Sequence, residues 1–207
     1  MSTIEQLKEK MESLQQSGRG NSLQTLRQEA FNDFEKNGIP TTRHEEWKYT
    51  RIGGVINKEY NFSLNSVTIT EEEFNTHRMP GYENANELVF VNGFFSDALS
   101  KIISDGLVTI PMEVAAKNEY KNIVEKYAGH SRNYLKDGIN AMNTAILQGG
   151  VFVFLKENMD TEHPVYMYNI MDARSSNVFA QPRSLIYLSP HARLQIVETY
   201  ITIGPSD

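Results

Sequence analysis

The side chains that could do chemistry are few and scattered. There are five histidines, His44, His77, His130, His163 and His191, and no cysteine. Histidine is the commonest metal ligand and the natural acid–base group near neutral pH. A metal motif legible in sequence needs two ligands within a few positions, as in HExxH. Even the nearest pair, His163 and His191, is far apart, so each histidine reads as a surface or loop residue. The missing cysteine excludes a disulfide framework, a thiolate nucleophile and any Cys-ligated metal within this chain. No GxxxxGK[ST] loop is present to cradle phosphates. Gly149-Gly150 precedes an apolar run, whereas a dinucleotide fingerprint follows one, so it reads as a helix stop.

The densest stretch runs Gly38-Ile39-Pro40-Thr41-Thr42-Arg43-His44-Glu45-Glu46-Trp47-Lys48-Tyr49-Thr50. Glu45 and Glu46 beside His44 suggest acid–base work, but adjacent carboxylates on a helix point in different directions. Thr42 and Glu45 have capping-box spacing, which predicts one helical turn starting there. Trp47, the sole tryptophan, with Tyr49 offers either a stacking platform or an anchor. The anchor is the simpler reading, because a large aromatic after a tight turn usually buries area. Glu71-Glu72-Glu73 is the acidic first turn that a helix dipole favours. Met112, Met142, Met159, Met167 and Met171 form no stripe and read as core filling.

The elements that must position these groups change character along the chain. Ser2 and Glu5 have capping-box spacing, and Ile4, Leu7, Met11 and Leu14 share one helical face. Ser17-Gly18-Arg19-Gly20 stops that helix, and Ser22 caps a second. Leu23, Leu26, Ala30, Phe31 and Phe34 form its face, and Asn37-Gly38 ends it before Pro40. The pattern then turns mixed. Thr70 to Phe74 predicts a short capped helix. Leu88–Phe95 around Asn92-Gly93 predicts a type I′ hairpin. Leu107–Ile110 predicts a strand, and residues 112–127, with Val114 among the apolar members, a helix. Tyr134 to Leu147 predicts one more helix. Beyond Gly150 the period becomes that of strands: Val151–Leu155, Val165–Met171, Ser184–Leu188 and Arg193–Ile201, separated by turn signals. Such a run reads as a sandwich, a barrel or the start of a solenoid. A long strand so near residue 207 would leave an unprotected sheet edge, so either a partner covers it or the sequence is part of a longer polypeptide, and the second reading is preferred.

Length and charge bound the rest. At 207 residues the chain holds one or two domains with a real core. Residues 1–60 carry 9 Lys+Arg and 9 Asp+Glu, and residues 61–207 carry the other 11 and 17. Neither part is basic, so no nucleic-acid partner is expected. The longest unbroken apolar run, Val151–Leu155, is far short of the ~20 residues of a membrane span. With no secretory leader pattern either, the expected location is cytoplasmic and the Asn61-Phe62-Ser63 sequon is read as chance.

The Gly38–Thr50 stretch resembles a hallmark of the SufD family of the SUF iron–sulfur cluster assembly machinery, which shows Gly-[Leu/Ile]-Pro, Thr, Arg, an acidic position and Trp-Lys-Tyr-Thr. Four other stretches agree. These are the amphipathic segment at 22–36, the Phe90-Val91-Asn92-Gly93 hairpin, Ala141-Met142-Asn143-Thr144-Ala145 leading to Gly149–Val153, and Pro182-Arg183 with Glu198-Thr199-Tyr200. The Trp-Lys-Tyr-Thr run separates SufD from its paralogue SufB. The resemblance implies an α+β chain: a small N-terminal helical domain (1–60), a mixed α/β connecting segment (61–148) and the first rungs of a right-handed parallel β-helix (149–207). It also implies a non-enzymatic scaffold subunit for iron–sulfur cluster assembly and iron acquisition, working with SufB and the ATPase SufC. A homodimer stays open as an alternative partnership. Members of the family continue through further rungs, late in which the ligand candidates lie, into a C-terminal helical domain, and the resemblance implies that this later part docks SufC and provides most of the pairing surface for SufB. No catalytic, cofactor-binding or metal residue is therefore assigned here, and the cluster belongs to the whole complex. Two other readings stand beside this one: a plain interaction module, and a carbohydrate-active β-solenoid enzyme. The enzyme would have to use Glu157, Asp160, Glu162, Asp172, Glu198 or Asp207, which show no repeated acidic position across rungs.

Overall fold

The structure, a computed structural model, describes residues 3–17, 22–61 and 69–204. The Ser2–Glu5 capping box, the turn at 18–21, the Ser22 cap side chain and most of the 61–63 sequon lie outside the described residues. In chain order the helices are α1 (Thr3–Ser17), α2 (Ser22–Asn37), α3 (Gly53–Ile56), α4 (Glu71–Asn75), α5 (Met112–Ala115), α6 (Lys121–Tyr127) and α7 (Gly138–Ala145). The strands are β1 (Asn86–Val91), β2 (Phe94–Phe95), β3 (Leu107–Pro111), β4 (Val151–Leu155), β5 (Val165–Asp172), β6 (Ser184–Leu188) and β7 (Ile196–Ile203). The fold is mixed α+β. It divides into a helical unit, residues 1–62 with 116–147, and a sheet unit, residues 63–115 with 148–207. The segment 61–148 is thus shared between the two.

In the helical unit the expected apolar faces are buried. Leu7 and Met11 of α1 and Leu23, Ala30 and Phe34 of α2 are shielded from water, whereas Ile4 stays partly exposed and Leu26 half-buried. Gly38 closes α2 at φ +61°, with its N–H donating to the Phe34 carbonyl at 2.8 Å. Helix α2 packs along α7. The two approach backbone to backbone, since a Cβ on Gly138 would lie 1.6 Å from the Gly38 carbonyl oxygen. Buried Arg27 donates through Nε to the Leu147 carbonyl at 2.7 Å, satisfying an acceptor just past the end of α7. Arg132 forks onto Asp33 through Nε and Nη2 and reaches Glu29 through Nη1.

Two helix predictions are corrected. Residues 112–127 are not one helix but α5 and α6. Between them the Asn118 side chain accepts from the Tyr120 N–H at 3.0 Å, a local turn that competes with helix, and Val114 is half exposed. The helix expected from Tyr134 begins only at Gly138. Asp137 caps it, accepting from the Ile139 and Asn140 N–H groups at 2.8 and 3.0 Å, and Leu135 ahead of it is exposed.

The sheet unit holds two sheets of order β2-β1-β5-β7 and β3-β4-β6. The predicted hairpin forms with Asn92 and Gly93 at φ +54° and +85°. The predicted capping box forms as well, Thr70 Oγ1 accepting from Glu73 N–H and Glu73 from Thr70 N–H. The β2–β1 and β3–β4 pairs are antiparallel, and β1–β5, β5–β7 and β4–β6 are parallel. From β4 to β7 the chain alternates between the sheets. Leu88 and Phe90 of β1, Val151, Val153 and Leu155 of β4, and Val165 and Met167 of β5 form the core between them. Ile69, Phe74, Val89, Val91, Tyr168 and Ile170 form a second core on the other face of β1 and β5. The last strand starts at Ile196 rather than Arg193, because residues 189–193 are spent in a turn, with Ala192 N–H bonded to the Ser189 carbonyl.

Candidate functional site

The most distinctive surface is the side of the sheet unit bounded by β6 and β7, each the last strand of its sheet. Among the described residues no strand lies beyond either. Ile186 and Leu188 of β6 pair with Val153 and Leu155, which are fully buried, yet they are themselves 39% and 40% exposed. Burial therefore falls away over one strand spacing while apolar character persists. On β7, Val197 and Tyr200 are exposed too, although Ile196 packs on the inter-sheet core. An apolar parallel edge of this kind is a template for another strand.

Polar and aromatic groups mark the same edge. Asn169 of β5, buried, donates through Nδ2 to Glu198 Oε1 at 2.8 Å, and Tyr200 donates its hydroxyl to the same oxygen at 3.1 Å. The Asn169 amide oxygen is buried without a protein partner. Burial, then the adjacent Glu198 carboxylate, pushes the Tyr200 phenol up from its ordinary value. Across β4 and β6 the rings of Phe154 and Tyr187 stack at 6.0 Å and 8°, with Phe152 stacked on Phe154.

Behind the edge, polar groups lock strand to strand. Asn92 of the hairpin accepts from Asp172 N–H at 2.9 Å. Asp172 holds Arg174 through both carboxylate oxygens, and Arg174 also reaches Glu73. The Thr70 N–H and then Arg174 hold the Glu73 carboxyl below the usual range. Further in, Glu87 is buried beside Arg78 at 3.2 Å, and the Arg78 guanidinium lies over the rings of Phe74 and Tyr82 at 4.8 and 4.9 Å. Burial raises the Glu87 carboxyl even though Arg78 opposes the shift. Tyr168, which accepts from Met79 N–H, is pushed up by burial to about 12. Sequence reasoning missed this group, since nothing local pairs Arg78, Glu87 and Tyr168.

The Gly38–Thr50 stretch belongs to the helical unit and winds through successive tight bends. His44 N–H donates to the Thr41 carbonyl, Trp47 N–H to His44 and Thr50 N–H to Trp47. The expected Thr42–Glu45 capping box is absent: His44 stands at the cap of the Glu45–Trp47 turn without a side-chain cap bond. Its Nδ1 instead accepts from Thr41 N–H at 3.1 Å. Trp47 is half-buried and Tyr49 is 90% exposed. Among the described residues, no three of the histidines and carboxylates gather as a metal-binding cluster, and no helix is long and apolar enough to cross a membrane.

A helical unit and two sheets of mixed parallel and antiparallel strands make this a mixed α+β protein. Residues 2–167 match the family described as SufBD protein N-terminal region, and the chain belongs to that family. It is similar to "Iron-sulfur cluster assembly protein SufD" of Bacillus subtilis (strain 168), 26% identical over 89% of this chain and 43% of that protein. It is also similar to "Iron-sulfur cluster assembly SufBD family protein slr0076" of Synechocystis sp. (strain ATCC 27184 / PCC 6803 / Kazusa), 24% identical over 80% of this chain and 36% of that protein. The chain thus spans about two-fifths of the length of these curated relatives.

Proposed function

We propose that the chain serves in iron–sulfur cluster assembly as the N-terminal part of a SufD-like, non-catalytic scaffold subunit. It acts in the cytoplasm with SufB and the ATPase SufC. Family membership and the two relatives named for cluster assembly support this role. The observation that carries the structural side is the unbroken parallel register of β5 with β7 and of β4 with β6, the chain alternating between sheets. In this reading the two sheets are the opening rungs of a right-handed parallel β-helix, and the β6–β7 edge receives further rungs. The cluster is cargo of the complete assembly, and this part supplies framework rather than ligands. The locked Asp172–Arg174 pair and the Asn169–Glu198–Tyr200 group fit strand-holding roles better than hydrolysis of a glycan.

The test is genetic and biochemical. Deleting the gene should lower the activity of iron–sulfur enzymes, with restoration by the full-length gene. Tagged full-length protein should retain SufB and SufC, and the 207-residue chain should not retain SufC. Undiminished iron–sulfur enzyme activity in the deletion strain overturns the role. SufC retention by the 207-residue chain overturns the placement of the docking site.

A further inference from the structure

The inner side of the open sheet edge carries a charge that the fold leaves unanswered. Side chains on β7 alternate: Ile196 packs on the core between the sheets, whereas Ile201 and Ile203 pack on the core of the other face. Glu198 and Tyr200 share the side of Ile196, so they face between the sheets. The register agrees, since Glu198 lies opposite Met167 and Tyr200 opposite Asn169, and Met167 belongs to the inter-sheet core. Two hydrogen bonds reach the Glu198 carboxylate, from Asn169 Nδ2 at 2.8 Å and from the Tyr200 hydroxyl at 3.1 Å, and both end on Oε1. Among the described residues no cation pairs with it. Beside it the amide oxygen of Asn169, a residue only 2% exposed, has no donor. A carboxylate and an orphan carbonyl thus stand side by side with no positive charge to serve them.

Met167 shows what becomes of such a position once a strand covers it. It lies one strand further in and is buried, while Glu198 is still exposed. A strand laid on β7 would bury Glu198 in the same way. A buried carboxylate without a counter-charge is strongly disfavoured, and an apolar strand would leave the Asn169 oxygen unanswered too. A long cationic side chain meets both demands, because its N–H groups only donate. A metal ion is the poorer occupant, since no three His, Asp or Glu side chains gather among the described residues. A second copy pairing edge to edge is poorer as well, because neither β6 nor β7 holds a Lys or Arg. We infer that β7 is the template for a parallel strand of the same polypeptide whose residue opposite Glu198 is arginine or lysine, its cation directed between the sheets. This rests on the reading that further rungs follow β7. At the spacing of Met167 to Glu198, the cation falls about 30 residues after Glu198. The pair also fixes register, since a slip by one residue turns the cation to the other face and buries the carboxylate alone.

A charge swap in the full-length protein, fused at its C-terminus to a folding reporter, tests this. Glu198→Lys should lower the reporter signal several-fold. Random mutagenesis of the rest of the gene should then yield restoring changes that replace one arginine or lysine with Glu or Asp, about 30 residues after Glu198. Urea melts of the swapped pair should recover the midpoint that either single change loses. Full signal from Glu198→Lys, no restoring change, or restoring changes that reverse no cation in the strand paired with β7 overturn the inference. The reporter reads folding and not cluster assembly. Restoration by the swap, in a protein whose deletion leaves iron–sulfur enzymes active, would uphold this pairing while the cluster role falls.

Discussion

Gly150→Ala tests the contact on which the first parallel layering depends. A Cβ at Gly150 would lie 2.6 Å from the Arg183 carbonyl oxygen, where ordinary contact begins near 3.4 Å. The backbone at Gly150 is not left-handed, so alanine is opposed by space alone. The carbonyl would have to retreat by about 0.8 Å to restore a normal contact. That oxygen also accepts the Val151 N–H at 3.0 Å, the bond that opens the β4–β6 pairing. The same retreat therefore stretches the bond past useful length. Overpacking costs about 1–3 kcal/mol and the hydrogen bond about 1 kcal/mol, so a loss of about 2–4 kcal/mol is expected. Gly53→Ala in α3 is the control, because its Cβ meets nothing within 4 Å. It should be neutral or stabilising by up to about 1 kcal/mol. Urea denaturation followed by far-UV circular dichroism reads the stability. Hydrogen exchange resolved on residues 151–155 and 184–188 should locate the loss, with α2 unaffected. An unchanged midpoint for Gly150→Ala, or protection lost equally everywhere, would refute the reasoning.

Four further outcomes are expected. Asp137→Ala, which removes the α7 cap, should cost about 1 kcal/mol in urea melts and Asp137→Asn much less; equal losses would contradict the capping role. Glu73 has a depressed carboxyl, so its stabilisation is present above the ordinary carboxylate range and fades as pH falls through its lowered value. The thermal-midpoint gap between wild type and Glu73→Gln should therefore close on acidification, and a pH-independent gap would be contrary. Arg78→Met strands the buried Glu87 carboxylate and should cost about 3–5 kcal/mol near neutral pH. The penalty should shrink in acid, where Glu87 takes a proton; a loss insensitive to pH would count against the pair. Val197→Lys puts a charge on the β7 edge and should reduce self-association in light scattering, whereas unchanged association would show that this edge is not sticky.

What could be read from the sequence was whatever is decided within a few residues. Asn92-Gly93 and Thr70–Glu73 carry their turn and cap in their own side chains, and both form as expected. The apolar faces of α1 and α2 follow from spacing alone. Local patterns failed where two local signals compete. Thr42–Glu45 had the spacing of a cap, but His44 bonded Thr41 instead. The apolar period from 112 to 127 ran straight through a turn held by Asn118. Leu135 looked like helix core although Asp137 starts the helix after it. Long-range pairing had no local trace at all. Nothing near Asn86 tells that it opposes Val165, or that Arg27 reaches Leu147.

The sheets differ at their two sides. Each carries an antiparallel strand on one side, β2 against β1 and β3 against β4, and its latest strand in sequence on the other. Val165 opposes Ile196 and Val151 opposes Ser184, so each added layer consumes about 30 residues. Stacking order is therefore the order of synthesis. As the chain leaves the ribosome, every strand from β5 onward finds its template already made and never waits for a later one.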